Sequence, residues 1–161
     1  IMGLIASDGC FGKTRRQGLK DYRSCFINKE KQLLDEFERA YKRLFPGKKI
    51  ERRRLKSGAE SLRISNPLLS EIARNLGFRS LSNKGEDIKP VFKMHDDLIA
   101  AFIGGYFDGD GHCELRNKSA KILIYSKNEK FLARLQMIMK RLGIASALRK
   151  KSRSGFKNSH S

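Results

Sequence analysis

No apolar run in this chain approaches the roughly 20 residues needed to cross a bilayer. The longest, Leu98 to Phe107, is interrupted by Gly104 and Gly105. Ile1 opens directly into a glycine-containing helical pattern, unlike a secretion signal. Cysteine is scarce: Cys10, Cys25 and Cys113 are odd in number and widely spaced. Such a set predicts neither a disulfide framework nor a CxxC zinc knuckle, and a reducing intracellular compartment fits it. His95, His112 and His160 lack HExxH or zinc-ligand spacing, so structural or surface roles are expected of them. A Walker loop, a dinucleotide fingerprint and a Ser/His/Asp arrangement are missing too. The shortage that says most is of acid. Against 35 Lys+Arg stand only 17 Asp+Glu, a net charge of +18. A fold that tolerates this self-repulsion usually has a polyanion as partner, nucleic acid before an anionic membrane.

What the chain does have is an internal repeat. Residues 1–9 read IMGLIASDG and residues 103–111 read IGGYFDGDG. Each is apolar, has glycine at its third position and ends in Asp-Gly. The likeness continues. RSCFIN (Arg23 to Asn28) and KILIYS (Lys121 to Ser126) are both strand-like. Each is followed by a lysine (Lys29, Lys127) and an amphipathic helix ending in Lys-Arg-Leu (42–44 and 140–142).

The pattern predicts a helix end over 1–9, then strands near 12–17 and 21–28. A helix follows over 30–45 with Leu33, Leu34, Phe37, Tyr41, Leu44 and Phe45 on its apolar face. Pro46-Gly47 stops it. Strands near 49–56 and 60–65 flank a Ser57-Gly58 turn, and Asn66-Pro67 starts a helix that Gly77 ends. The second motif helix runs from Asp96 to Gly109. Strands near 112–118 and 120–126, a helix over 128–142 and a strand near 144–151 complete the expectation. The division is a first half over 1–77, a linker over 78–95 and a second half over 96–161. The last strand and helix of the second half are expected to be missing.

The motif has a physical reading. Gly3 and Ser7 share one helix face, as do Gly105 and Gly109. Small residues at this spacing let two helix backbones approach closely. Gly9 and Gly111 sit where a helix C-terminus favours a left-handed residue. Side-by-side helices would bring Asp8 and Asp110 together at their C-terminal ends. A carboxylate there opposes the helix dipole, at about 0.3–1 kcal/mol, and like charges raise one pKa unless a cation intervenes. A hard divalent ion, bound by carboxylate and backbone oxygens, is the natural remedy. Metals on paired carboxylates suit phosphodiester hydrolysis. A lone Asp-Gly is most often a turn; two in register inside a repeat of a basic chain point to chemistry.

The two segments, the second flanked by LIAAF and His112, resemble the LAGLIDADG motif, and the chain resembles double-motif homing endonucleases carried within inteins or encoded by introns. The resemblance implies an α+β fold of two pseudo-symmetric αββαββα halves. Their antiparallel saddle-shaped sheets pack through the motif helices and sit on double-stranded DNA. It implies a monomer that cuts both strands of a long asymmetric site, with Mg2+ as cofactor, Mn2+ as substitute and Ca2+ binding without cleavage. It assigns metal binding to Asp8 and Asp110, with the carbonyls of Ser7 and Gly109 contributing. Lys29 and Lys127, beside Asn28 and Ser126, take supporting catalytic places. The motif's earlier acidic position is Asp108 in one repeat and Ala6 in the other, and is not the catalytic one.

Basic runs fall on the predicted strands or their ends. Alternate strand residues share a face, so Arg52, Arg54 and Lys56 are expected to point the same way, toward DNA. The same expectation covers Lys13, Arg15, Arg16, Arg23, Asn28, Arg63, Arg116, Lys118, Lys121, Ser126, Arg149 and Lys151. Arginine can read guanine edges while lysine mostly meets phosphates. The competing reading is a nucleic-acid-binding protein or RNA maturase of the same lineage that no longer cuts; both aspartates argue against it. Ile1 and His160-Ser161 do not supply the ends that self-splicing requires.

Overall fold

A computed structural model of the chain describes residues 1–16, 19–77, 88–116 and 119–150. The first half runs α1 (Met2–Asp8), β1 (Gly9–Arg16), β2 (Leu19–Asn28), α2 (Lys31–Leu44), β3 (Glu51–Arg54), β4 (Glu60–Ser65) and α3 (Pro67–Asn75). After a 3-10 turn at Lys89–Lys93, the second half repeats the start of that order: α4 (Asp96–Asp110), β5 (Gly111–Arg116), β6 (Ser119–Ile124) and α5 (Glu129–Arg141). The first sheet is antiparallel with strand order β1-β2-β4-β3, and β5 and β6 form a two-stranded ribbon.

Helix α2 lies on one face of the first sheet. Leu34, Phe37 and Tyr41, spaced to share one stripe, are fully buried there with Phe26 and Leu62. Phe26 stacks on Phe37 with ring centroids 4.8 Å apart. Leu44, expected on that stripe, is 62% exposed, while Phe45, four residues after Tyr41, packs against this core. Glycine supplies the turns where φ must be positive: Gly47 after α2 (77°) and Gly58 between β3 and β4 (80°). Asn66 caps α3 by accepting from Leu68 and Leu69 N–H (3.1 and 3.3 Å), and its amide donates to the buried Tyr41 hydroxyl (3.1 Å).

A second core gathers Ile99, Phe102 and Tyr106 of α4, Phe131, Leu135 and Ile138 of α5, and Ala73 and Leu76 from α3 and its end. Ala6 of α1 packs into it, which explains the apolar residue at that motif position. Ile88 and Val91 are fully buried in the same core, so the later part of the 78–95 linker includes a packed turn. Residues 78–87 lie outside the described residues.

Three expectations change. Cys10 and Cys25 form a disulfide, with Cα atoms 5.1 Å apart. They are distant in sequence but directly opposed in the β1–β2 register, which spacing alone does not reveal. Residues 144–150 form no strand. With no fourth strand among the described residues to pair it, this segment folds back on α5. The Ile144 N–H donates to the Met139 carbonyl (2.9 Å), and Gln136 donates to the Ser146 carbonyl (2.7 Å). The third concerns the motif glycines, taken up below.

Candidate active site

The small-residue faces of α1 and α4 meet as the sequence predicts. A Cβ on Gly3 would lie 2.1 Å from the Phe102 carbonyl oxygen and 2.6 Å from the Tyr106 nitrogen. One on Gly105 would lie 3.2 Å from the Leu4 nitrogen, and one on Gly109 would meet Ser7 at 2.0 Å. Gly3 therefore faces Gly105, and Ser7 faces Gly109. The helices run parallel and in register, and their C-terminal ends finish side by side. Buried Ser7 fits because its hydroxyl donates to the Leu4 carbonyl within its own helix (2.8 Å).

Gly9 and Gly111 are not left-handed. Their φ/ψ values, −91°/169° and −81°/159°, are extended. Glycine is needed for room instead. Each chain leaves its helix straight into a strand that passes over the last turn. A Cβ would meet Ile5 backbone at 2.4 Å in one half and the Phe107 side chain at 2.2 Å in the other.

This register brings Asp8 and Asp110 together. The Gly109 Cβ position lies 3.2 Å from Asp8 Oδ2, so the first carboxylate reaches the last turn of the second helix. The Tyr106 phenol lies near enough to Asp110 and Asp8 to sense both negative charges. Its pKa is pushed far above the usual phenol range, first by burial and then by the two negative charges. A phenol carries its proton at neutral pH in any case, so its O–H is available as a donor beside these carboxylates. Asn28 Nδ2 donates to Asp8 Oδ2 at 2.8 Å, and its Oδ1 accepts from the Glu30 N–H at 2.8 Å. Asn28 was expected to meet DNA; here it holds a carboxylate. Lys29 and Lys127 are exposed on the turns after β2 and β6, and neither pairs with Asp8 or Asp110 among the described residues.

No group of three or more His, Cys, Asp or Glu side chains placed to hold a metal ion occurs among the described residues. The donor set is therefore two carboxylates, nearby backbone carbonyls and open positions for water. That set fits a hard ion such as Mg2+ or Mn2+, which keeps several waters, and does not fit a closed zinc cage.

Register decides the basic face. Arg52 lies opposite Leu62, and Leu62 opposite Phe26, on the side covered by α2. Accordingly Arg52 pairs with Asp35 (2.7 Å), Glu38 (3.8 Å) and Glu60. Those hydrogen bonds from Arg52, with one from Lys31, hold the Asp35 carboxyl below its ordinary pKa. Arg54, opposite Glu60, shares that side, so the expectation of a DNA-facing pair at 52 and 54 is reversed. The intervening Arg53 instead lines an open concavity on the other face with Arg23, Lys49, Glu51 and Arg63. Of the residues expected at DNA, Arg23 and Arg63 line this concavity; Arg53, Lys49 and Glu51, not among that set, line it with them. Lys56 is exposed in the turn with Gly58, Lys121 and Ser126 are exposed on and just after β6, and Arg149 is exposed in coil. Lys13, Arg15 and Arg16 lie on β1 and Arg116 on β5, their side chains outside the described residues, as are Lys118 and Lys151 entirely.

A family model described as LAGLIDADG-like domain matches residues 97–161. The chain carries a LAGLIDADG-like domain. The fold of its described residues is that of the LAGLIDADG proteins. The structure of I-DmoI in complex with DNA and Mn matches with a TM-score of 0.70 at 18% identity, over 94% of this chain and 80% of that one. The LAGLIDADG meganuclease I-AabMI bound to uncleaved DNA matches with a TM-score of 0.51 at 11% identity, over 93% and 74%. Curated relatives include a component of the A-type ATP synthase of Methanopyrus kandleri, 33% identical over 94% of this chain. Another is glutamine–fructose-6-phosphate aminotransferase of Methanocaldococcus jannaschii, 29% identical over 99% of this chain. The LAGLIDADG-like chain spans only 13% and 14% of those two proteins. No helix among the described residues is long and apolar enough to cross a membrane.

Proposed function

We propose that this chain is a site-specific, divalent-metal-dependent DNA endonuclease that works as a monomer. The observation that carries the reading is the meeting of Asp8 and Asp110 at two parallel helix ends, in a chain whose first sheet has an open basic face. Each half, 1–77 and 96–161, supplies one carboxylate. Two unequal halves suit a long asymmetric site. Both carboxylates are present, which favours a cutting enzyme over a binding protein of the same lineage.

Asp8 and Asp110, with the Ser7 and Gly109 carbonyls, would hold the metal. A bound Mg2+ or Mn2+ supplies an activated water and stabilises the leaving oxygen of the phosphodiester. The chain's own residues orient and neutralise. Asn28 fixes Asp8, Tyr106 faces Asp110, and Arg23, Arg53 and Arg63 draw the phosphate backbone onto the sheet. A DNA substrate places this work inside the cell.

The relatives point to an origin. An ATP synthase component, an aminotransferase, a reverse gyrase and a DNA helicase are differently named proteins, yet each contains a stretch like this one. An element inserted in frame into unrelated host proteins, as an intein is, accounts for that pattern. The test is a supercoiled plasmid library with randomised inserts, incubated with the protein and Mg2+. Linear products sharing one recovered site are expected, and Asp8→Asn or Asp110→Asn should lower their yield to the metal-free level. Linear products formed equally by either variant would overturn the reading.

A further inference from the structure

The two carboxylates occupy equivalent places but are held by different devices. The registers Gly9 to Phe26 and Gly111 to Ile124 make Ser126 the counterpart of Asn28. The turn is built alike in both halves: Asn28 Oδ1 accepts from Glu30 N–H at 2.8 Å, and Ser126 Oγ accepts from Asn128 N–H at 3.1 Å. Glu30 N–H can only donate, so the asparagine oxygen must face it and the amide NH2 is left for Asp8. The Ser126 hydroxyl is anchored in the turn on its short side chain, which has no amide arm to extend as Asn28 does. On the helices the inequality is reversed. Tyr106 stands one turn before Asp110, while its counterpart before Asp8 is Leu4, which has no polar atom. The Tyr106 ring is 3% exposed and packs on Phe131 at 5.0 Å, so the second core holds the ring one turn before Asp110.

We propose that Asn28 and Tyr106 are positioning residues, the first serving Asp8 and the second Asp110, so that the two halves of the metal site are chemically unequal. This rests on Asp8 and Asp110 being metal ligands. A donor behind a ligating carboxylate fixes its orientation, and removing such a partner typically costs about 10–100-fold in metal affinity. One brace is a half-buried amide at a strand end, and the other is a phenol locked in a core. The inequality is built into the protein before any DNA arrives.

The experiment is a Mn2+ titration of the full chain followed by electron paramagnetic resonance, arranged as double-mutant cycles. Tyr106→Phe keeps the ring against Phe131 and removes only the hydroxyl. It should weaken Mn2+ binding by roughly tenfold. That effect should persist with Asp8→Asn and vanish with Asp110→Asn. Asn28→Ala should show the mirror pattern, and its half-buried position tests the same exchange without touching a core. Equal effects in both aspartate backgrounds, or none while the parent chain binds Mn2+, would overturn the assignment of braces. Mn2+ binding that survives loss of both aspartates would instead remove the metal-site reading, and the braces with it.

Discussion

Arg52, Arg53 and Arg54 show what one residue of register decides. Alternation along the run says that 52 and 54 share a side. Which side is open depends on the strand opposite: Arg52 faces Leu62 and Phe26 under α2, and only the pairing reveals it. On the face proposed to meet DNA, the arginine of this run is the middle one. Arg53→Ala and Arg63→Ala should each weaken DNA binding across sequences and reduce the salt slope by about 1, while Arg54→Ala should change neither; titrations at several salt concentrations read this out. Arg52 acts on stability. It holds Asp35 ionised below the ordinary range, and a lowered carboxyl pKa favours the fold above the unfolded value, a gain lost as pH falls below about 4. Arg52→Ala should therefore flatten the acid limb of stability against pH, measured by urea midpoints. Tyr106 was legible in principle, four residues before Asp110 on one helix face. Its role needed the knowledge that the phenol is buried beside both carboxylates.

At the scale of elements, the paired motif was readable because small residues at i and i+4 have few reasons to recur in register. Their geometry gives a contrast between neighbouring glycines. Gly3→Ala forces a methyl onto the Phe102 carbonyl, so α1 and α4 must part, at about 1–3 kcal/mol. Gly104→Ala meets nothing within 4 Å and should stabilise α4 by roughly 0.5–1 kcal/mol. Urea unfolding of the two variants should move in opposite directions. The glycine after each aspartate was expected to be left-handed and is extended, because steric room under the emerging strand cannot be told from left-handed φ by composition. The Cys10–Cys25 bond was hidden in the same way: the residues meet only because Arg16 and Leu19 close the hairpin between them. Reducing it should cost about 2–4 kcal/mol of stability by freeing a short loop of the unfolded chain.

For the whole molecule, charge and repeat together carried the reading. The +18 balance set the class of partner, and the repeat set the symmetry. What symmetry could not supply is how far the halves differ. The first has a four-stranded sheet and a complete core, whereas the ribbon β5–β6 leaves Leu115 80% and Ile122 69% exposed. The two carboxylates likewise sit in unlike surroundings, one beside an amide and the other beside a phenol. The central claim is that both serve one metal-dependent cutting centre. It is tested most directly by anomalous diffraction from crystals of the protein bound, with Mn2+, to a duplex carrying the recovered site. Manganese peaks within coordination distance of both Asp8 and Asp110, absent in the double Asp→Asn variant, are the expected result. DNA seated on the sheet with no manganese at these two carboxylates would contradict it.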